Sequence, residues 1–310
     1  MFRYLNLLKV AIGYALSTIT HRDHTMGLPV TASIEPANYC NLHCPQCPTG
    51  LGMIKKTPKT FDINRFKDII EALSPELCYL NLYFQGEPFL CKELPQMVEC
   101  ATAHHIFTSI STNGHFLDKD SAFSLKKAGL GKLIVSLDGA TPESYAKYRI
   151  GGDFDRVIDG IHNAVNAGLK VELQCLLLSS TENEISKIKD FGKKLGVWKT
   201  TFKTAQFYTQ DPLMPTNNSY SRYKKDSLRL KNKLKNKCWR VVSGIVITTE
   251  GNVLPCCFDK DCTHSYGNLF QYTINKDALC RVIHSQKASE FKSVVFSNRK
   301  CIKICTNCTE

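Results

Sequence analysis

Two hydrophobic periods alternate along most of the chain. Asp62 to Leu73 places Ile63, Phe66, Ile69, Ile70 and Leu73 at helical spacing, and Pro75 stops the run. Cys78 to Phe84 is a continuous apolar and aromatic stretch, read as a buried strand that ends at Gln85-Gly86-Glu87-Pro88. A helix over roughly Glu93–His104 is followed by a strand at Phe107–Ser111, closed by Thr112-Asn113-Gly114. The helix at Asp118–Ala128 ends at Gly129, a good C-cap residue, and the strand Leu133–Leu137 ends at Asp138-Gly139. Pro142–Ala167 is helical with a break near Gly151-Gly152. Then come a strand at Val171–Leu178, a helix at Asn183–Leu195 and a strand around Trp198–Phe207. With Val30–Ile34 this makes six strands alternating with helices, the pattern of an α/β chain with right-handed crossovers and a parallel sheet. In such sheets chemistry gathers at the carboxyl ends of the strands, where the polar punctuation falls here.

Both ends of this pattern are flanked by different composition. In residues 1–20, Arg3, Asn6, Lys9, Gly13, Ser17 and Thr20 recur three or four apart, so a helix there carries a narrow polar stripe and a broad apolar face. It is short for a membrane span and contains Lys9, and no small-residue cleavage site follows it. The expectation is a helix packed on the domain, with weak contact to a membrane surface as the lesser alternative. Residues 208–237 break the alternation: Asp211-Pro212, Pro215 and Asn217-Asn218-Ser219 read as linker, and Arg222–Arg240 holds nine basic residues against the single acid Asp226. The expected division is therefore an extension at 1–27, the alternating body at 28–210, a basic linker at 211–237 and a small domain at 238–310.

A chain of 310 residues with 43% hydrophobic and 22% charged content fits a globular protein able to bury a large core. The net charge of +12 favours anionic partners without specifying a fold. Fifteen cysteines, an odd number in a chain without a convincing secretory signal, argue for metal ligation rather than a disulfide framework, and so for a reducing, cytoplasmic setting.

The cysteines are informative by spacing. Cys40-Asn41-Leu42-His43-Cys44-Pro45-Gln46-Cys47 sets three thiols at C-x3-C-x2-C directly after the first strand. A cysteine-ligated cubane takes four sulfurs, so three would leave one iron with an open site. A closed zinc site would need a fourth ligand that neither His43 nor a nearby cysteine is placed to give. This motif resembles the signature of the radical S-adenosylmethionine (SAM) superfamily. The resemblance implies a partial (β/α)6 barrel and a [4Fe–4S] cluster on Cys40, Cys44 and Cys47 whose open iron chelates SAM. It also implies reductive SAM cleavage to a 5'-deoxyadenosyl radical, with an electron donor such as flavodoxin or ferredoxin. Gly86-Glu87-Pro88 resembles the family's GGEP segment, with Gln85 in place of its first glycine, and implies contact of Glu87 with the SAM amino group. Ser136 and Asp138, two apart on a strand and so on one face, match the V-S-x-D-G segment that reaches the SAM ribose or carboxylate. Arg149 matches an arginine that pairs with the SAM carboxylate. Asn113 could cap its strand or approach the adenosine, and Gln174 is a polar group in an apolar strand that needs a partner.

Cys238, Cys256, Cys305 and Cys308 form a second set. Thr249-Glu250-Gly251-Asn252 is a turn between Ile245–Thr248 and Val253–Leu254, so a β-hairpin carries Cys256 back towards Cys238, and the C-x2-C pair returns from a helix. This resembles the twitch domain, the shortened relative of SPASM, and implies one auxiliary [4Fe–4S] cluster. Four cysteines suit zinc equally well on their own. Cys257, Cys262, Cys280 and Cys301 are alternative ligands, whereas Cys78, Cys91, Cys100 and Cys175 fall in apolar patterns as small core residues.

Twitch dehydrogenases oxidise a secondary alcohol on an aminocyclitol. The resemblance thus implies an enzyme, dehydrogenase-like, that oxidises or rearranges a polar or anionic small molecule such as a sugar or cyclitol. The alternatives are a SPASM-type peptide maturase, a nucleic-acid-binding protein and a zinc scaffold. Nucleic acid is disfavoured because the basic run has few stacking residues beyond Tyr220, Tyr223 and Trp239.

Overall fold

The structure, a computed structural model, describes residues 2–54 and 56–309. Six parallel strands, β1 (Thr31–Ile34), β2 (Tyr79–Asn81), β3 (Phe107–Thr112), β4 (Lys132–Ser136), β5 (Val171–Leu177) and β6 (Lys199–Thr204), stand in chain order. Between them run α2 (Ile63–Leu73), α3 (Leu94–Ala103), α4 (Lys119–Lys127), α5 (Pro142–Ala146), α6 (Phe154–Asn166) and α7 (Ile185–Lys194). Alternation along each strand divides two environments. Ala32, Ile34, Leu80, Ile110, Leu133, Val135, Leu173 and Cys175 point to the helices and are buried among Phe66, Ile69, Leu94 and Ile161. At about 1.5–3 kcal/mol per large apolar side chain, this layer is the main source of stability. Cys91 and Cys175 belong to it and Cys100 packs against it, as their apolar surroundings predict; Cys78 packs on a smaller cluster.

The β2 ladder is shorter than the apolar run suggests. It closes where Leu82 N–H reaches Ser109 O at 2.8 Å, and Tyr83 and Phe84 instead line a cavity.

The predicted hairpin forms and extends the same sheet. The short helix α8 (Arg240–Ser243) leads into β7 (Gly244–Ile247), which pairs parallel with β1 from Thr31↔Gly244 to Ile34↔Ile247. β8 (Asn252–Leu254) returns antiparallel, with Ile247 opposite Val253, and β9 (Gly267–Asn268) completes nine strands in the order β6-β5-β4-β3-β2-β1-β7-β8-β9. Gly251 turns the hairpin at φ +85°, where a Cβ would also lie 2.4 Å from the Phe270 ring. Two helices, α9 (Lys276–Ile283) and α10 (Gln286–Asn298), precede the terminal cysteines.

Glu35, fully buried after β1, ties the first cysteine loop to this turn by accepting from Thr249 N–H at 3.1 Å; its Oε1 has no hydrogen-bond partner. Burial pushes its carboxyl up to about 7, against the opposing pull of Lys56. Protonated Glu35 is therefore favoured in the fold. This contribution is present below about pH 4.5 and is lost as pH rises through 7. Glu35→Gln is expected to raise the urea midpoint at pH 8, by roughly 2–3 kcal/mol in stability, and to flatten the fall between pH 5 and 8. Equal midpoints for both proteins at pH 8 would contradict that.

The basic segment is not a free tether. Tyr223, 1% exposed, accepts from Phe207 N–H at 2.8 Å and donates to Asn307 Oδ1 at 2.6 Å, joining the end of β6 to the terminal cysteine segment. Its ring is thereby withheld from any stacking role.

At the other end, α1 (Phe2–Thr20) packs on the domain through the side that carries its polar stripe. Asn6, Val10, Gly13 and Ser17 are the buried positions. Asn6 bonds both Leu28 O and Leu28 N–H at 2.8 Å, and Ser17 accepts from His24 N–H at 2.9 Å. A Cβ at Gly13 would stand 2.6 Å from His24 O. The narrow polar stripe is thus a seat for the segment 24–28, and the apolar face is turned to solvent. No described helix is long and apolar enough to cross a membrane.

Candidate functional site

The loop after β1 is held against the turn after β2 by backbone. Glu87 N–H donates to Tyr39 O at 2.9 Å, and a Cβ on Gly86 would lie 2.2 Å from Ala37 O and 2.6 Å from Tyr39 O. Only glycine allows the two strand ends to meet this closely. On the far side of that loop Cys40, Cys44 and Cys47 share an apolar shell with Leu42, Tyr148, Leu178 and Phe207. Three N–H groups face the sulfurs: Leu42 N at 3.5 Å and Asn113 Nδ2 at 3.7 Å from Cys40 Sγ, and Arg149 Nη1 at 3.9 Å from Cys44 Sγ. Burial pushes the Cys44 thiol up to about 11, opposed by Arg149, and raises Cys40 as well. Three soft donors in a dry shell, with N–H groups and a guanidinium turned towards them, fit a cluster bound as thiolates, with proton release on binding.

The residues matched to SAM contacts lie around this loop, several of them already engaged. Glu87, 2% exposed, accepts from Thr112 Oγ1 at 2.6 Å, Asn113 N–H at 2.8 Å and Phe89 N–H at 3.2 Å. Burial raises its carboxyl despite those bonds. It therefore latches the end of β3 to the Gly86 turn. Asp138 is fully buried, taking Leu176 N–H on one oxygen and Arg149 Nε on the other, both at 2.6 Å. Burial alone would pull the Arg149 guanidinium down, but Asp138 and Cys44 hold it well above its ordinary value. The pair thus fixes a permanent cation beside the thiols. Asp138→Ala would leave that cation unpaired, and a loss of about 3–5 kcal/mol is expected in denaturant titration of the folded protein. Ser136 is half-buried on β4, opposite Gln174 of β5.

Sequence reasoning missed His115. Its Nε2 accepts from Asp153 N–H at 2.7 Å, so Nδ1 carries the proton and faces Asn113 Oδ1 at 3.1 Å. Asn113 Nδ2 is thereby turned to Asn41 Oδ1 at 2.8 Å and to Cys40. Two residues past Asn113 was the available signal, but a histidine there fits many turns.

Cys238, Cys256, Cys305 and Cys308 surround one small void with Val241, Phe258, Phe291 and Ile304. Beside them Arg299, 1% exposed, donates from Nη1 to Lys237 O at 2.7 Å and from Nη2 to Cys308 Sγ at 3.4 Å. Burial works against its charge, yet Cys305, Cys238 and Cys308 raise its pKa. A buried cation among four thiols fits a thiolate-bound group. Of the alternative ligands, Cys257 faces a different cavity with Arg240 Nη1 at 3.1 Å, Cys262 lies near Lys56, Cys280 is on α9 and Cys301 is exposed. All fifteen cysteines are free thiols, and among the described residues no three His, Cys, Asp or Glu side chains are grouped closely enough for a single metal ion.

On the polar face of β1, β2 and β7, beside the second thiol set, is a cavity of about 420 Å³. Thr31, Ser33, Asn81, Tyr83 and Arg240 line it, and Cys256 belongs both to it and to the second thiol void. Burial pushes the Tyr83 phenol up to about 12.

The model of the Radical SAM superfamily matches residues 34–192, and that of the SPASM iron-sulfur cluster-binding domain matches residues 238–309. The chain is 33% identical over 147 residues to the mycofactocin maturase MftC of Mycolicibacterium smegmatis, covering 47% of this chain and 37% of that protein. It is 34% identical over 167 residues to a probable GTP 3',8-cyclase of Methanococcus maripaludis, covering 53% and 54%. These matches therefore span about half or less of those relatives. In fold it resembles BtrN in complex with AdoMet and 2-DOIA, with TM-score 0.58, 21% identity and coverage of 91% and 94%. It likewise resembles Streptococcus suis SuiB bound to S-adenosylmethionine, with TM-score 0.70, 15% identity and coverage of 97% and 76%. The chain belongs to the radical SAM superfamily, and its cofactors are S-adenosylmethionine and [4Fe–4S] clusters.

Proposed function

We propose that the enzyme oxidises a polar small molecule, of the size of a sugar or cyclitol, in the cavity beside its second thiol set. The observation that carries this reading is that one cavity of about 420 Å³ is lined by hydrogen-bonding side chains and shares Cys256 with the second thiol void. Its volume suits a small ligand. When bound, the first cluster with SAM supplies hydrogen-atom abstraction and the second an acceptor for the electron of oxidation. Cys40, Cys44 and Cys47 would hold the first, and Cys238, Cys256, Cys305 and Cys308 the second. Ser136 would face the bound SAM across the lumen, Gly86 and Asn113 would shape its berth, and the Asp138–Arg149 pair would set a cation for its carboxylate. Glu87 acts in this reading through Asn113. Ser33, Asn81 and Tyr83 would orient substrate hydroxyls, and Arg240 would favour an anionic group. Flavodoxin or ferredoxin is the proposed electron donor, in a cytoplasmic setting.

Peptide maturation is the second reading, favoured by the 33% identity to the mycofactocin maturase and by the fold shared with SuiB, whose structures include one bound to precursor peptide SuiA. Anaerobic holoenzyme given SAM, reductant and panels of aminocyclitols, sugars and peptides separates the two. The expected result is a small polyol product lighter by one pair of hydrogens. A modified peptide with the polyols untouched would replace the first reading by the second.

A further inference from the structure

The face that α1 turns to solvent concentrates exposed apolar side chains. Eight of the seventeen exposed large hydrophobic residues belong to this one helix, including Tyr4, Leu5, Leu8, Ile12 and Ile19. Tyr4 is 80% and Ile19 is 75% exposed. Packing does not explain them, because the helix is already seated through Asn6, Gly13 and Ser17 on the segment 24–28. A contiguous apolar patch on this scale marks an interaction site. The helix holds Lys9 and falls short of a span, so it can lie along a surface but not cross it.

The chemistry of the segment packed beside α1 selects the partner. The chain from Leu234 to Trp239 passes beside the seated side of α1: Leu234 packs on the small core that includes Val10, and the Trp239 ring meets the half-buried Tyr14 edge-on at 5.4 Å. Asn236 anchors this stretch on α10 by donating to Ser297 O and accepting from Arg299 N–H. Lys233, Lys235 and Lys237 on the same stretch are exposed, and Trp239 is 40% exposed beside them. An apolar helix face, with exposed lysines and an amphipathic tryptophan on the segment packed beside the helix, is the composition of an interfacial anchor. A second copy of a chain carrying +12 would bring these lysines against their own kind, whereas anionic headgroups would neutralise them.

We propose that α1 and the Lys233–Trp239 stretch form a docking surface for an anionic lipid bilayer, on which the enzyme lies without spanning it. The inference does not depend on which substrate is oxidised.

The test is co-sedimentation of the anaerobic holoenzyme with phosphatidylcholine vesicles containing about 30% phosphatidylglycerol, beside pure phosphatidylcholine vesicles. Wild type is expected to pellet with the anionic vesicles and to bind at least tenfold more weakly at about 1 M salt, where the screening length is about 3 Å. The Leu5→Glu/Leu8→Glu/Ile12→Glu variant, altered only at exposed positions, is expected to keep its circular dichroism melt and lose vesicle binding. Lys233→Gln/Lys235→Gln/Lys237→Gln should weaken binding by roughly tenfold or more, at about fivefold per lysine as an upper rate. Wild type left in the supernatant would overturn the proposal. So would a folded apolar triple variant that binds as tightly as wild type. A wild-type dimer that the same variant converts to monomer, without vesicle binding, would assign the face to a second copy instead.

Discussion

Protein in which Cys40, Cys44 and Cys47 are all changed to alanine is expected to form no detectable 5'-deoxyadenosine, while keeping about half its iron. Wild type should bind about eight irons per chain, the sum of two cubanes, and the variant about four. The large effect follows from the arrangement around the loop. Among the described residues no other cysteine joins these three in their shell of Leu42, Tyr148, Leu178 and Phe207, so no thiol stands in for a missing one. Arg149 and Asn113 would lose the sulfurs they face, but both keep bonds elsewhere, to Asp138 and to Asn41. The loop should therefore stay folded, as unchanged near-ultraviolet circular dichroism would show. Undiminished SAM cleavage by the triple variant would mean that the first motif is misassigned.

Changing Cys305 and Cys308 to alanine is expected to separate SAM cleavage from product formation. The first thiol set is on the loop after β1, and the second is gathered by α8, the β7–β8 hairpin and the segment after α10. With an artificial reductant, 5'-deoxyadenosine should form at a rate within a few-fold of wild type, but substrate should not be converted. Folding is the risk, because the free energy of metal binding is also free energy of folding. Arg299 adds to it: without Cys305 and Cys308 its buried guanidinium loses a sulfur partner and keeps Lys237 O. Gel filtration and circular dichroism decide whether the variant is folded. A folded variant without the second cluster that turned over substrate at the wild-type rate would make the carboxyl-terminal segment structural only.

How much of this was legible in the sequence varied with the range of the interaction. Strand–helix alternation is set by local periodicity, and β1 to β6 each fall within or close to the stretch the pattern marks, with β2 cut short at Asn81. Cysteine spacing within one loop made the first thiol set legible. The second set came from a hairpin and a C-x2-C pair, and the structure gathers those same four around one void. What was not legible is what a side chain meets across the fold. Glu87 and Asp138 match a motif, yet their oxygens are occupied by Thr112, Asn113, Leu176 and Arg149, partners fixed by strand register. The pairing of β7 with β1, which makes one sheet of two expected domains, has no local signal either. The helix α1 is the plainest case. Its polar stripe was visible, but which face turns inward depended on Leu28 and His24 arriving to meet Asn6 and Ser17.

The measurement that tests the central claim most directly is electron paramagnetic resonance of the anaerobically reconstituted, reduced protein, with and without SAM and with iron and zinc quantified on the same sample. The account predicts about eight irons and two cubane signals, one of which shifts when SAM is added. The signal that shifts should be missing from the Cys40/Cys44/Cys47 variant. Stoichiometric zinc, or a single signal indifferent to SAM, would contradict it.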